Sequence, residues 1–99
     1  MSQYTITDGE GWNINPEKFE ETLKNILSES MMSYELGDSR IIKTTTMKAY
    51  GFYENGNLIG RLDVAYRPTE TSLLFSGEKE KDLSMKIIEG SSFKWNKQS

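Results

Sequence analysis

The residues best suited to do work in this chain lie between positions 40 and 67. Lys48, Tyr50, Phe52, Ile59, Arg61 and Arg67 mix rings and an aliphatic side chain with permanent cations, and Arg40 and Ile42 extend the pattern upstream. That mixture suits contact more than reaction. At protein interfaces a ring fills a pocket while a guanidinium donates several hydrogen bonds at once. Single-stranded nucleic acid is held in a similar way, with bases stacked on rings and phosphates against cations. A plain solvent face, with Tyr50 stacked on Arg61, is also consistent with the pattern. So is a small ligand.

Reaction chemistry is harder to find. The chain has no histidine and no cysteine. That removes imidazole bases, thiol nucleophiles, Ser-His-Asp arrangements and zinc sites built from Cys and His. No G-x-x-x-x-G-K-[ST] loop is present to cradle phosphates. Gly9-x-Gly11 opens like a dinucleotide fingerprint, but Ile14 stands where the third glycine belongs. Carboxylates cluster at Asp8 and Glu10 and again at Glu78, Glu80 and Asp82. Oxygen ligands of this kind could take Ca²⁺ or Mg²⁺, but neither group has EF-hand spacing. Solvated loop charge is the expectation for both. The sequence therefore predicts no catalytic residue, no metal and no cofactor.

Several elements must position the candidate residues. Tyr4 to Thr7 alternates and reads as a short strand. Asn15-Pro16-Glu17 is a helix start, with a capping side chain, a preset φ and an acid in the first turn. Phe19, Leu23, Ile26, Leu27, Met31 and Tyr34 then recur at helical spacing, which predicts a helix from about 16 to 34 ended by Gly37. Trp12, just before it, is expected as a lid on the core.

Arg40 to Tyr53 reads as one strand and Leu58 to Arg67 as its partner, joined by Glu54-Asn55-Gly56-Asn57. Asn-Gly between two β-rich runs signals a type I′ hairpin. With Glu54 opposite Asn57, the pairs are Tyr53/Leu58, Gly51/Gly60, Ala49/Leu62 and Met47/Val64. This apolar face is expected to meet the helix, with a ring such as Phe19 or Trp12 over the glycine pair. Phe52/Ile59, Tyr50/Arg61 and Lys48/Asp63 are left facing outward.

Thr71 to Ser76 reads as a further strand. Leu83, Met85 and Ile87 alternate and favour a strand, although Leu83 and Ile87 also stand one helical turn apart. Phe93-Lys94-Trp95 reads as a last strand or part of a flexible tail over 91–99, with Trp95 covering the core edge or serving as a docking anchor. The fold class is thus α+β: one N-terminal helix on an antiparallel meander of four to five strands, in a single domain over 1–99. Cystatin-like domains share this element order. The Gln-x-Val-x-Gly segment of the cystatins is missing from the hairpin, so the likeness is one of order alone.

Bulk properties agree with a small folded domain. The chain has 99 residues, 35% of them apolar and 11% aromatic, enough for one thin core. Charge is polarised: residues 1–38 carry eight acids and two bases, while residues 39–68 carry five bases and two acids. No apolar run approaches the ~20 residues of a membrane span. Without cysteines or a leader-like N-terminus, the cytoplasm is the expected compartment. The reading is a non-catalytic protein-binding domain, such as an inhibitor, accessory or regulatory protein. Its partner would be another protein or a second copy of itself. Single-stranded nucleic acid is the alternative, and no membrane is expected.

Overall fold

In the computed structural model, residues 1–98 are described. Strand β1 (Ser2–Thr7) leads to helix α1 (Pro16–Ser28), four strands β2 (Met32–Ile42), β3 (Thr45–Glu54), β4 (Asn57–Tyr66) and β5 (Thr71–Ser76), helix α2 (Glu80–Gly90) and strand β6 (Lys94–Lys97). The fold is α+β in the expected strand-helix-strands order, with six strands in all, five of them after α1, and a second helix where one was expected. All strand pairs are antiparallel, in the order β2-β3-β4-β5-β1-β6. Both helices lie on the same side of the sheet. No helix is long and apolar enough to cross a membrane among the described residues.

The start of α1 follows the sequence signals. Asn15 Oδ1 accepts the Lys18 N–H at 2.8 Å, and Pro16 occupies the first turn. Phe19, Leu23, Ile26 and Leu27 are buried. The end differs from the expected position near 34. Ser28-Glu29-Ser30 are weak helix formers or polar, and Met31 takes φ 55°, reversing the chain. Met31 is therefore exposed, and Tyr34 lies in β2. Gly37 is not a helix stop. It sits at a bulge in β2, where Gly37 and Asp38 together face Ala49.

The long strand expected over Arg40 to Tyr53 is in fact two strands. Lys43, at φ 57°, and Thr44 turn β2 back as β3. The next hairpin is as expected: Asn55 and Gly56 have φ 53° and 79°, the left-handed pair that a type I′ turn requires. Glu54/Asn57 and Tyr53/Leu58 also pair as expected, but one extra residue, Ile59, then enters β4. From there Phe52 faces Gly60, Tyr50 faces Leu62 and Lys48 faces Val64. Because side chains alternate, this bulge turns β3 over relative to the expected register. Leu62 and Val64 still point to the helices. Tyr50 and Phe52 join them there, and Met47, Ala49, Gly51 and Tyr53 point away.

The segment around Leu83 is a helix, which corrects the favoured strand reading. Leu83 and Ile87 are buried one turn apart, whereas Met85 is exposed. Glu80 and Asp82 lie in its first turn, where the helix dipole favours negative charge. Gly77, at φ 111°, lets the chain turn into α2 against β4, so that a Cβ built there would come within 2.8 Å of the Gly60 Cα. Trp12 does not cap the core. The Asp8 carboxylate accepts the N–H groups of Glu10 and Trp12, which holds the loop and leaves the indole 69% exposed, while Ile14 enters the core instead. Strand β6 pairs with β1, and Trp95 packs edge-on to Tyr4 with its ring centroid 5.5 Å away. Of the expected 91–99 tail, Ser99 lies outside the described residues.

Candidate binding face

The six residues expected to share an outer face are divided by the sheet. Tyr50 and Phe52 are completely buried beneath the helices, and Ile59 is 8% exposed. Lys48 is mostly buried on the same inner side, where its ammonium meets Glu20 of α1 at 2.7 Å. Arg61 stays on the outer side, and Arg67 is exposed in the loop after β4. The bulge at Ile59 is the physical cause. It moves the even-numbered residues of β3 inward, and the Tyr50/Arg61 and Lys48/Asp63 pairs do not form.

What the rings do inside is well defined. The Tyr50 hydroxyl donates to Glu20 Oε2 at 2.7 Å and lies 2.9 Å from the Tyr66 hydroxyl. Glu20 thus gathers a phenol and an ammonium between α1 and β3. Burial, more than any neighbour, pushes the Tyr50 and Tyr66 hydroxyls well above their usual range. Tyr34 is raised as well, mainly by burial and then by the Glu20 charge. Among the described residues, no buried side-chain nitrogen or oxygen lacks a hydrogen-bond partner. The network fastens helix α1 to the sheet.

The outer side is different. Among the described residues no helix covers it, and the sheet forms a hollow of about 450 Å³. Ala49 and Ala65 form its floor and are only 9% and 8% exposed, because longer neighbours stand around them. Met47 and Leu74 add apolar walls, and Arg40 and Arg61 stand at its sides. Arg61 is held by Asp63 through two hydrogen bonds, with Nε to Oδ2 at 3.0 Å and Nη2 to Oδ1 at 2.9 Å. Those bonds hold the guanidinium in its charged form, and Asp38 adds a smaller push in the same direction. A second hollow of about 280 Å³ adjoins the first through Asp38, Ala49 and Arg61 and reaches Tyr53 and Leu58.

Met47, Ala49, Leu74 and Asp38 were missing from the residues expected to form the site. Strand β4 carried part of the signal, since Arg61, Asp63 and Ala65 alternate with the apolar Leu62 and Val64. The β3 contribution depended on a bulge that no residue type announces. One member of each acidic cluster has a partner: Asp8 holds its loop, and Glu80 meets the Met1 ammonium at 2.8 Å. Among the described residues no three acidic side chains converge as a cation site requires. Compared with protein-family models, curated proteins and solved structures, the chain matches none.

Proposed function

We propose that this chain is a small non-catalytic protein-binding domain that docks a partner protein on the outer face of its sheet. The observation that carries this reading is the uncovered hollow, with its alanine floor, apolar walls and fixed guanidinium. A loop with an apolar tip would find the alanine floor, and its backbone carbonyls would find Arg61. Arg61 is already oriented by Asp63, so little side-chain entropy is lost on contact. The nucleic-acid alternative rested on Tyr50 and Phe52 as stacking platforms, and both rings are inside the core. We keep the cytoplasm as the proposed compartment, on the lack of cysteine.

The test is affinity capture from the native host with wild type, Arg61→Glu, Ala65→Trp and a helix control, Glu17→Lys. One band lost with both outer-face variants and kept with the control supports the reading. Equal capture by all four proteins, or no specific band, removes it. Circular dichroism confirms that each variant is folded.

A further inference from the structure

Strand β2 is the long free edge of the sheet. Its 11 residues have β3 on one side only, and Glu35 to Ile42 are all exposed. The opposite edge, β6, has just 4 residues. An open strand edge offers unpaired N–H and C=O groups to any further strand. We propose that β2 pairs antiparallel with β2 of a second copy of this chain, with Ser39 facing Ser39 across a two-fold axis.

The edge is complementary to itself. Leu36, Ser39 and Ile41 pair with Tyr50, Lys48 and Thr46 of β3, on the helix side of the sheet. Asp38 and Arg40 line the outer hollow, so they share the other side. Between the two sets, the bulge lets Gly37 and Asp38 occupy one rung. With Ser39 at the centre, Asp38 of each copy faces Arg40 of the other on the outer side. On the helix side Leu36 of each copy faces Ile41 of the other. These two side chains are 45% and 74% exposed in the single chain. Neither Asp38 nor Arg40 takes part in an ion pair among the described residues.

Neighbouring registers are worse. Centring the axis on residue 38 sets Asp38 against Asp38, and centring it on residue 40 sets Arg40 against Arg40. Like charges directly opposite destabilise a strand pair, so charge selects the Ser39 register. A two-fold interface uses the same patch twice, which is what a strand complementary to itself provides. Both outer hollows would then open on the same side of a continuous sheet. The pairing stands on the edge strand and not on the hollow, so either proposal can fail without the other.

Sedimentation equilibrium of the full chain, from micromolar to near-millimolar concentration, tests it with two charge reversals. Wild type should dimerise. Arg40→Asp and Asp38→Arg should each weaken the dimer roughly tenfold or more, since each sets like charges opposite. An equal mixture of the two variants should regain a dimer, because acids then face bases. Ser39→Cys supplies the only thiol in the chain, and air oxidation should link it at the strand-pair Cα spacing that a disulfide accepts. Ile42→Cys should link far more slowly. A monomeric wild type overturns the proposal. So do single reversals that leave the dimer intact, a mixture that stays monomeric, or equal cross-linking at both positions.

Discussion

Neighbouring residues of β3 show how differently the two sides of this sheet are used. Tyr50 and Phe52 are wholly buried, whereas Met47 is 41% exposed and Ala49 lines an open hollow. The inner side holds rings at contact distance, with Phe19 stacked 6.1 Å from Phe93 and tilted against Tyr50. It also holds the hydrogen-bonded network of Glu20, Lys48, Tyr50 and Tyr66. The outer side has small residues on its floor and charges at its sides. Tyr50 and Phe52 of the hairpin stabilise the core, whereas Met47, Ala49 and Tyr53 of the same strand are left on the uncovered side. Each expected outcome below would break or sharpen that contrast.

The largest effect belongs to the inner side. Phe52→Ala removes a ring from a packed core and should cost about 3–5 kcal/mol. Tyr53→Ala, one residue on but outside, should cost less than about 1 kcal/mol. Urea unfolding of both variants measures this, and similar values would erase the contrast.

Next is the joint between α2 and the sheet. Gly77→Ala demands a side chain at φ 111° with its Cβ 2.8 Å from the Gly60 Cα. Strain and overlap together should cost on the order of 1–3 kcal/mol. An unchanged thermal midpoint would mean that α2 does not dock as described.

Tyr50→Phe keeps the ring but removes the hydroxyl that joins Glu20 to Tyr66. The Tyr66 hydroxyl is then left short of a partner, at a cost of about 1–3 kcal/mol. The same network makes stability depend on alkaline pH. Folding raises the Tyr50 and Tyr66 hydroxyls above their ordinary 10.0, mainly by burial. Below that pH both folded and unfolded chains hold these protons, and the stabilisation is complete. Above it the unfolded chain loses them first, so stability falls as pH rises beyond about 10. Urea midpoints should drop between neutral and strongly alkaline buffer, and drop less in Tyr50→Phe. A midpoint that rises would reverse the assigned sign.

The smallest effect is on the outer side. Arg61 and Asp63 are an exposed pair, so Arg61→Ala should change stability by no more than about 0.5 kcal/mol. A larger loss in the same urea titration would make Arg61 part of the scaffold and count against the role in recognition proposed for it.

Much of the fold was legible. Asn15-Pro16 marked a helix start, Asn55-Gly56 marked a turn, and Thr71 to Ser76 alternated as a half-buried strand does. Local backbone demands fall on single residue types, so these signals survive without tertiary context. Other features were not legible for equally local reasons. Leu83 and Ile87 fit both a strand and a helix, and only the approach of Gly77 to Gly60 shows how a helix lies there. Lys43 turned the chain without a glycine to announce it.

The candidate site followed the same division. By itself the sequence determined which residue types were available: no imidazole, no thiol, and a middle segment rich in rings and bases. It also determined the alternation that separates Arg61, Asp63 and Ala65 from Leu62 and Val64. Only the tertiary structure decided which half of β3 shares a face with them. Strand side chains repeat every two residues, so one extra residue at Ile59 exchanges inside for outside along the whole partner strand. The driving force for that choice is burial of Tyr50 and Phe52 under α1 and α2, a contact between distant segments that no local pattern contains.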